Sequence, residues 1–123
     1  MKPLIEKKKQ IDNIFLYVSI FKLVKSYLVL ISDEEGMGIG TVTLGIPSII
    51  ENVKTSSASH QIFGVQSKIL SKIIVEKISS DLKEPVLLLL FLKHIKEDQK
   101  ITKPLMELLK EALIEISQKK MKK

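Results

Sequence analysis

Short apolar runs separated by polar turns predict β-strands, most of them in the first half of the chain. The segments NIFLYVSIF (13–21) and SYLVLIS (26–32) are rich in β-branched and aromatic residues. GIGTVTLG (38–45) alternates threonine with valine or leucine, which is the period of a strand. ASHQIF (58–63) is a further short strand, and VLLLLFL (86–92) is one that is apolar throughout.

Two later segments have the 3.6-residue period of amphipathic helices. The first begins at Val65 and ends before Pro85. The second has Thr102 as its predicted N-cap and Pro104 in its first turn, where proline is tolerated. The predicted buried stripe of the first helix is Val65, Ile69, Leu70, Ile73, Ile74 and Ile78, with Ser71 on the polar side; that of the second is Leu105, Leu108, Leu109, Ala112, Leu113 and Ile116.

The element order β-β-β-β-α-β-α belongs to the α+β class. We expect an antiparallel β-sheet with two α-helices on one face, and a dimer formed through the other face. Residues 1–12 are expected to be an edge strand or a flexible basic arm, residues 13–116 a single α+β domain, and residues 117–123 a Lys-rich C-terminal tail.

The dimer is predicted because several strands are apolar on both faces, whereas a sheet with one face in water alternates apolar with polar residues. Two helices cover only one face, so a second subunit that packs sheet on sheet is expected to cover the other. The alternative is a closed barrel, which would bury one face inside itself. The predicted interface residues are Phe15, Tyr17, Ser19, Phe21, Leu28, Leu30, Leu87, Leu89 and Phe91.

The charge of the chain lies at its ends. The net charge is +6, and all twenty basic residues are lysines. The first ten residues carry +3 and the last seven +4, so residues 11–116 carry −1. This distribution disfavours a nucleic-acid-binding face, which gathers its basic residues on the folded surface. The tail lysines Lys119, Lys120, Lys122 and Lys123 are predicted either to be a solvated helix end or to contact an acidic partner surface.

The glycine cluster DEEGMGIGTVTLG (33–45) is not a phosphate-binding motif, because it leads into a strand and not into a helix. We interpret Gly36 as part of a tight hairpin. Gly38 and Gly40 are then expected to allow a neighbouring backbone or bulky side chain to approach closely.

No catalytic, metal-binding or cofactor-binding constellation is found in the sequence. The chain has no cysteine, and its two histidines, His60 and His94, lack ligand spacing. Asp33, Glu34 and Glu35 are interpreted as a solvated acidic turn. We therefore expect a protein that is not an enzyme and needs no cofactor.

Residues 14–32 have the length of a membrane span, but Lys22 and Lys25 at their centre favour a β-hairpin instead. No signal peptide is visible, because the charged first ten residues contain no apolar core segment. A cytoplasmic protein without a membrane partner is expected.

Two long segments of the chain resemble the small proteasome assembly chaperones of the third and fourth subunit type. They are SYLVLISDEEGMGIGTVTLGIPS (26–48) and SSASHQIFGVQSKILSKIIVEKISSDLKEPVLLLLFLK (56–93), and the shared order of elements extends over about residues 13–115. The resemblance implies a homodimer or heterodimer that binds a proteasome α-type subunit without catalysis and helps the α-ring to assemble. The hydrophobic-Tyr-X tail of the first and second types is missing, since this chain ends in QKKMKK. The alternatives are a small basic nucleic-acid-binding dimer and a generic scaffolding dimer.

Overall fold

The computed structural model describes residues 2–47, 58–64, 67–95 and 98–121. Six strands form one sheet, and two helices pack on it. In chain order the elements are β1 (Ile5–Ile11), β2 (Ile14–Leu23), β3 (Ser26–Ser32), β4 (Thr41–Ile46), β5 (Ala58–Phe63), α1 (Lys68–Leu82), β6 (Val86–Phe91) and α2 (Gln99–Met121).

The predicted α+β class is confirmed, and the sheet is mixed instead of wholly antiparallel. Its strand order is β1-β2-β3-β6-β4-β5. Strands β3 and β6 are parallel, with Tyr27 opposite Val86 and Ser32 opposite Phe91, and every other pair is antiparallel. Because β1 and β5 lie at the two edges, the sheet is open and the closed-barrel alternative is wrong.

The β2–β3 hairpin predicted for residues 14–32 is confirmed. The two strands pair from Tyr17 opposite Ser32 to Leu23 opposite Ser26. Lys25 in the turn has φ 57°, a left-handed conformation that closes the short connection. None of the helices in the described part of the chain is long and apolar enough to cross a membrane.

The hairpin predicted at Gly36 is wrong, because β6 lies between β3 and β4. The connection instead passes over the end of β6, and its glycines make that crossing possible. A Cβ at Gly38 would lie 2.7 Å from the Phe91 ring, and one at Gly40 would overlap the Leu90 carbonyl. The close approach predicted for these two glycines is therefore confirmed, although both precede the first residue of β4.

Helix α1 is rotated relative to the predicted stripe. Ser71, Val75 and Ser79 are fully buried, whereas Ile69 and Ile73 are exposed. The reason is the close approach of the helix to β4: a Cβ at Gly45 would lie 2.8 Å from Val75 Cβ. Placing Ser71 on the polar side and Ile69 and Ile73 in the core was therefore wrong. Val65 lies outside the described residues.

Helix α2 buries the stripe predicted for it, together with Ile101. It begins at Gln99, three residues before the predicted cap at Thr102. The Thr102 hydroxyl donates to the Asp98 carbonyl oxygen at 2.8 Å, a bond directed back along the chain, so the prediction of Thr102 as the N-cap is wrong. Pro104 consequently lies inside the helix.

Strand β1 fastens α2 to the sheet edge through lysines that point to the helix side. Lys7 Nζ pairs with the Glu115 carboxylate, and Lys9 Nζ lies 3.4 Å from Glu107 Oε2. Near the end of α2, Lys119 Nζ donates to the Leu4 carbonyl oxygen at 2.7 Å. Lysines near both ends of the chain therefore make intramolecular contacts.

The glycine crossing gives the first testable prediction. Gly40→Ala places a Cβ against the Leu90 carbonyl at a residue with φ 57°, and we expect it to lower the free energy of unfolding by about 2–4 kcal/mol. Gly36→Ala is the matched control, because no heavy atom lies within 4 Å of the point that its new Cβ would occupy; it should change stability by less than about 0.5 kcal/mol. Urea unfolding at one protein concentration measures both. Equal midpoints for the two variants would contradict this account of the crossing.

Candidate functional site

The two faces of the sheet differ in what covers them. On β2, β3 and β6, alternate residues point to the helices and are almost completely buried. These residues are Leu16, Val18, Ile20, Tyr27, Val29, Ile31, Val86, Leu88 and Leu90. Residues of the opposite parity point away from both helices. Ser32 among them is buried and Gly38 lies close to the Phe91 ring, whereas the others stay partly exposed. We call this second side the open face.

All nine residues predicted for a dimer interface lie on the open face. The register places them in rows across neighbouring strands: Tyr17 with Ser32 and Phe91, Ser19 with Leu30 and Leu89, and Phe21 with Leu28 and Leu87. Phe15 is 36% exposed, and the other eight predicted residues are half-buried. They form one continuous apolar surface, and their role as a dimer interface stays a prediction.

Strand β4 extends this surface and was missed in the interface prediction. Val42 and Leu44 continue the rows of Leu89 and Leu87 onto β4. On the same strand Thr41 and Thr43 point to α1 and are buried, so β4 directs its polar residues inward and its apolar residues outward. The alternation of Thr with Val and Leu was visible in the sequence, but the face to which each set belongs depends on the pairing of β4 with β6.

Charge is absent from the centre of the open face. None of the outward residues of β2, β3, β6 and β4 is charged. At the β1 edge, Lys8 Nζ lies 4.2 Å from the Phe15 ring centroid and 5.5 Å from that of Tyr17, close enough for cation–π attraction. Depletion of charge at the centre with polar residues at the rim is the usual composition of a protein–protein interface.

The acidic turn is not solvated as expected, because Asp33 is buried. Its carboxylate accepts the backbone N–H of Lys93 at 2.8 Å on one oxygen. The other oxygen accepts those of His94 and Ile95 at 2.6 and 2.8 Å. Asp33 therefore fixes the loop that follows β6 to the end of β3. The interpretation of Asp33 as a solvated residue is wrong. Its partners lie 60 to 62 residues further along the chain, so no local pattern in the sequence could indicate the contact.

The remaining chemical candidates are not gathered into one site. His94 Nε2 lies 3.1 Å from Glu34 Oε1 at an exposed position. Among the described residues, no group of three or more His, Asp or Glu side chains is placed to hold a metal ion. Of the predicted tail contacts, Lys119 is exposed and bonded to Leu4, Lys120 belongs to α2, and Lys122 and Lys123 lie outside the described residues.

These features define an α+β protein with one layer of helices on a six-stranded sheet and an apolar open face. No protein-family model matches the sequence, and no curated protein matches it. Among solved structures, the fold is similar to a chain in the crystal structure of a chaperone complex for yeast 20S proteasome assembly. The TM-score is 0.64 at 10% sequence identity, over 93% of this chain and 94% of the other. The chain thus shares its fold with a chain of that complex.

The buried carboxylate gives a second prediction. Asp33→Ala leaves three backbone N–H groups without their acceptor, and we expect a loss of about 2–4 kcal/mol in the free energy of unfolding. Hydrogen exchange of the Lys93, His94 and Ile95 amides should accelerate in the same variant. Glu35→Ala is the control, since Glu35 is exposed. The assignment fails if both variants unfold at the same urea concentration.

Proposed function

We propose that this chain is a non-catalytic, cytoplasmic proteasome assembly chaperone that functions as a dimer. Its mate is a second copy or a paralogous subunit, and the dimer binds proteasome α-type subunits and promotes α-ring assembly. The observation that carries the proposal is the open face, an uncharged apolar surface across four central strands of the sheet. The similarity to a chain of a proteasome assembly chaperone complex, over nearly the whole length of both chains, supports it.

The composition of the open face supports a dimer formed by two packed sheets. The open face carries rows of leucine, phenylalanine, valine and tyrosine. Residues of these types form the core between the two sheets of a β-sandwich. The inward-facing threonines of β4 support the same conclusion, because a strand with only its helix side buried would place its apolar residues there. Pairing of two open faces would bury the outward residues of both chains.

The described lysines give little support to the nucleic-acid alternative. Lys7 and Lys9 pair with carboxylates of α2, Lys8 lies over two aromatic rings, and Lys119 bonds to a backbone carbonyl. A phosphate backbone would compete with these internal contacts for the same cations. Binding of DNA or RNA that falls steeply between low and moderate salt would favour that alternative over the chaperone.

The dimer is tested with a double substitution in the centre of the open face, Leu30→Lys with Leu89→Lys. Two lysines in an apolar sheet-on-sheet interface would bury unpaired charge, so we expect the dimer to separate. Native mass spectrometry of the tagged chain from its own cells should give a species of twice 13.9 kDa, or the sum with a paralogous mate, for the unchanged chain. The variant should give only the single-chain mass.

Ile114→Lys is the matched control for the dimer experiment. Ile114 is 48% exposed on the outer side of α2, away from the open face, so this variant should remain dimeric. A single-chain mass for the unchanged protein would contradict the proposal. So would a dimer that persists in the Leu30 and Leu89 double variant.

Binding of α-type subunits is tested by quantitative mass spectrometry of proteins that co-purify with the tagged chain. We expect proteasome α-type subunits to be recovered with the unchanged chain and with Ile114→Lys. Their recovery should fall at least about tenfold with the double variant, because the proposed binding unit is the dimer. A stable dimer that recovers no α-type subunit would favour the generic scaffolding alternative.

A further inference from the structure

The open face has an acidic end, formed by the turns that directly follow β1, β3 and β6. The charged residues of these turns are Asp12, Asp33, Glu34, Glu35 and Lys93. Glu34 and Glu35 line one cavity together with Phe15 and Tyr17, so the two carboxylates lie beside apolar residues of the open face. Lys93 pairs with Glu34 at 3.4 Å. Glu35 is exposed and takes part in no ion pair with the described residues.

The opposite end of the open face is basic. Lys25, in the β2–β3 turn, and Lys83, between α1 and β6, are both exposed. Across the described chain, neither of these lysines forms an ion pair. Glu84, beside Lys83, pairs with Lys22 at 2.6 Å, so it does not cancel the charge of the other two lysines. Strand β3 therefore begins at a basic turn and ends at an acidic one.

This polarity distinguishes the two ways in which aligned sheets can stack. If the strands of two copies ran parallel, the acidic ends would meet each other and the basic ends would do the same, which is repulsive. If they ran antiparallel, β3 would stack on β3, because this strand lies in the middle of the sheet. Lys25 would then lie near Glu35 of the partner subunit. The same contact would form at both ends, so the open face is complementary to itself.

We propose that the open face binds a second copy of this chain, with the two sheets stacked antiparallel. The two-fold axis runs across the strands, in the plane between the sheets. The apolar rows that contain Leu30 and Leu89 pack at the centre, and the acidic end of each copy faces the basic end of the other. The inference rests on the proposed dimer and selects its mate, which is the chain itself instead of a paralogous subunit.

The orientation is tested by cross-linking through single cysteines, because the chain has none of its own. Val24→Cys marks the basic end and Gly36→Cys the acidic end, and neither variant removes a charged residue. Val24 is 90% exposed, and no heavy atom lies within 4 Å of a Cβ at Gly36, so both variants should fold. The two purified variants are mixed, equilibrated and treated with a short bismaleimide.

We expect cross-linked dimers from the mixture and almost none from either variant alone. The reason is that the seven residues of β3 separate the two ends by about 20 Å. Cross-linking of each variant with itself would show parallel sheets and overturn the proposal. Absence of cross-linked dimers would also overturn it, whereas a dimer with a paralogous mate in the cell would still support the proposed function.

Two controls show whether the cross-link reports the open face. Leu30→Lys with Leu89→Lys, added to both cysteine variants, should abolish it. Ile114→Cys, on the outer side of α2, should form no cross-link with either marker. Cross-links that persist in the lysine variants, or that form equally well with Ile114→Cys, would overturn the proposal.

Charge reversal tests the physical reason for the orientation. Lys25→Glu and Glu35→Lys each place like charges together in the antiparallel dimer, at two symmetric contacts. We expect each to raise the dimer dissociation constant of the purified chain at least about threefold at low salt, measured by analytical ultracentrifugation.

The chain with both reversals exchanges the two charges, so it should recover the affinity of the unchanged chain. Lys110→Glu alters an exposed lysine of α2 and should leave the affinity unchanged. Equal affinity of the unchanged chain and both single variants would overturn the proposal. A double variant that dimerises no better than the single ones would overturn it as well.

Discussion

One layer of helices covers a sheet that is apolar on both of its faces, and the rest of the molecule follows from this imbalance. The helices bury Leu16, Val29, Leu88 and their neighbours almost completely. Neither helix covers the opposite side of the sheet, which has Leu30 and Leu89 at its centre. Because uncharged apolar surface of this extent is unfavourable in water, it predicts a covering partner more strongly than any chemical group in the molecule predicts a reaction.

The topology places this surface at the centre of the sheet. Strand β6 enters between β3 and β4, so the most apolar strand of the chain has a neighbour on each side. The crossing from β3 to β4 then has to pass the end of β6, which is where Gly38 and Gly40 permit contact with Phe91 and Leu90. The glycine cluster resembles a phosphate-binding loop in composition, but its role is to let the chain cross the end of β6 in close contact.

Local patterns in the sequence predicted most of the elements and the two faces of the sheet. Alternation along β2, β3 and β6 divided each strand into two sets of residues, but both sets are apolar, so the sequence could not tell which set the helices cover. The sequence did not predict features that depend on distant contacts. The insertion of β6, the burial of Asp33 by amides sixty residues away, and the rotation of α1 toward Gly45 all arise only when separate elements meet. For that reason Ile69 and Ile73, which are exposed, were expected in the core.

Whether the open face is covered in solution is the central claim, and the accessibility of its leucine methyl groups measures this directly. In a methyl NMR spectrum recorded with a soluble paramagnetic agent, the methyl signals of Leu30 and Leu89 should be protected to the same degree as those of buried Leu88, while those of exposed Ile69 broaden. Broadening of the Leu30 and Leu89 signals as strong as that of Ile69 would show that water reaches the open face, and it would contradict the account.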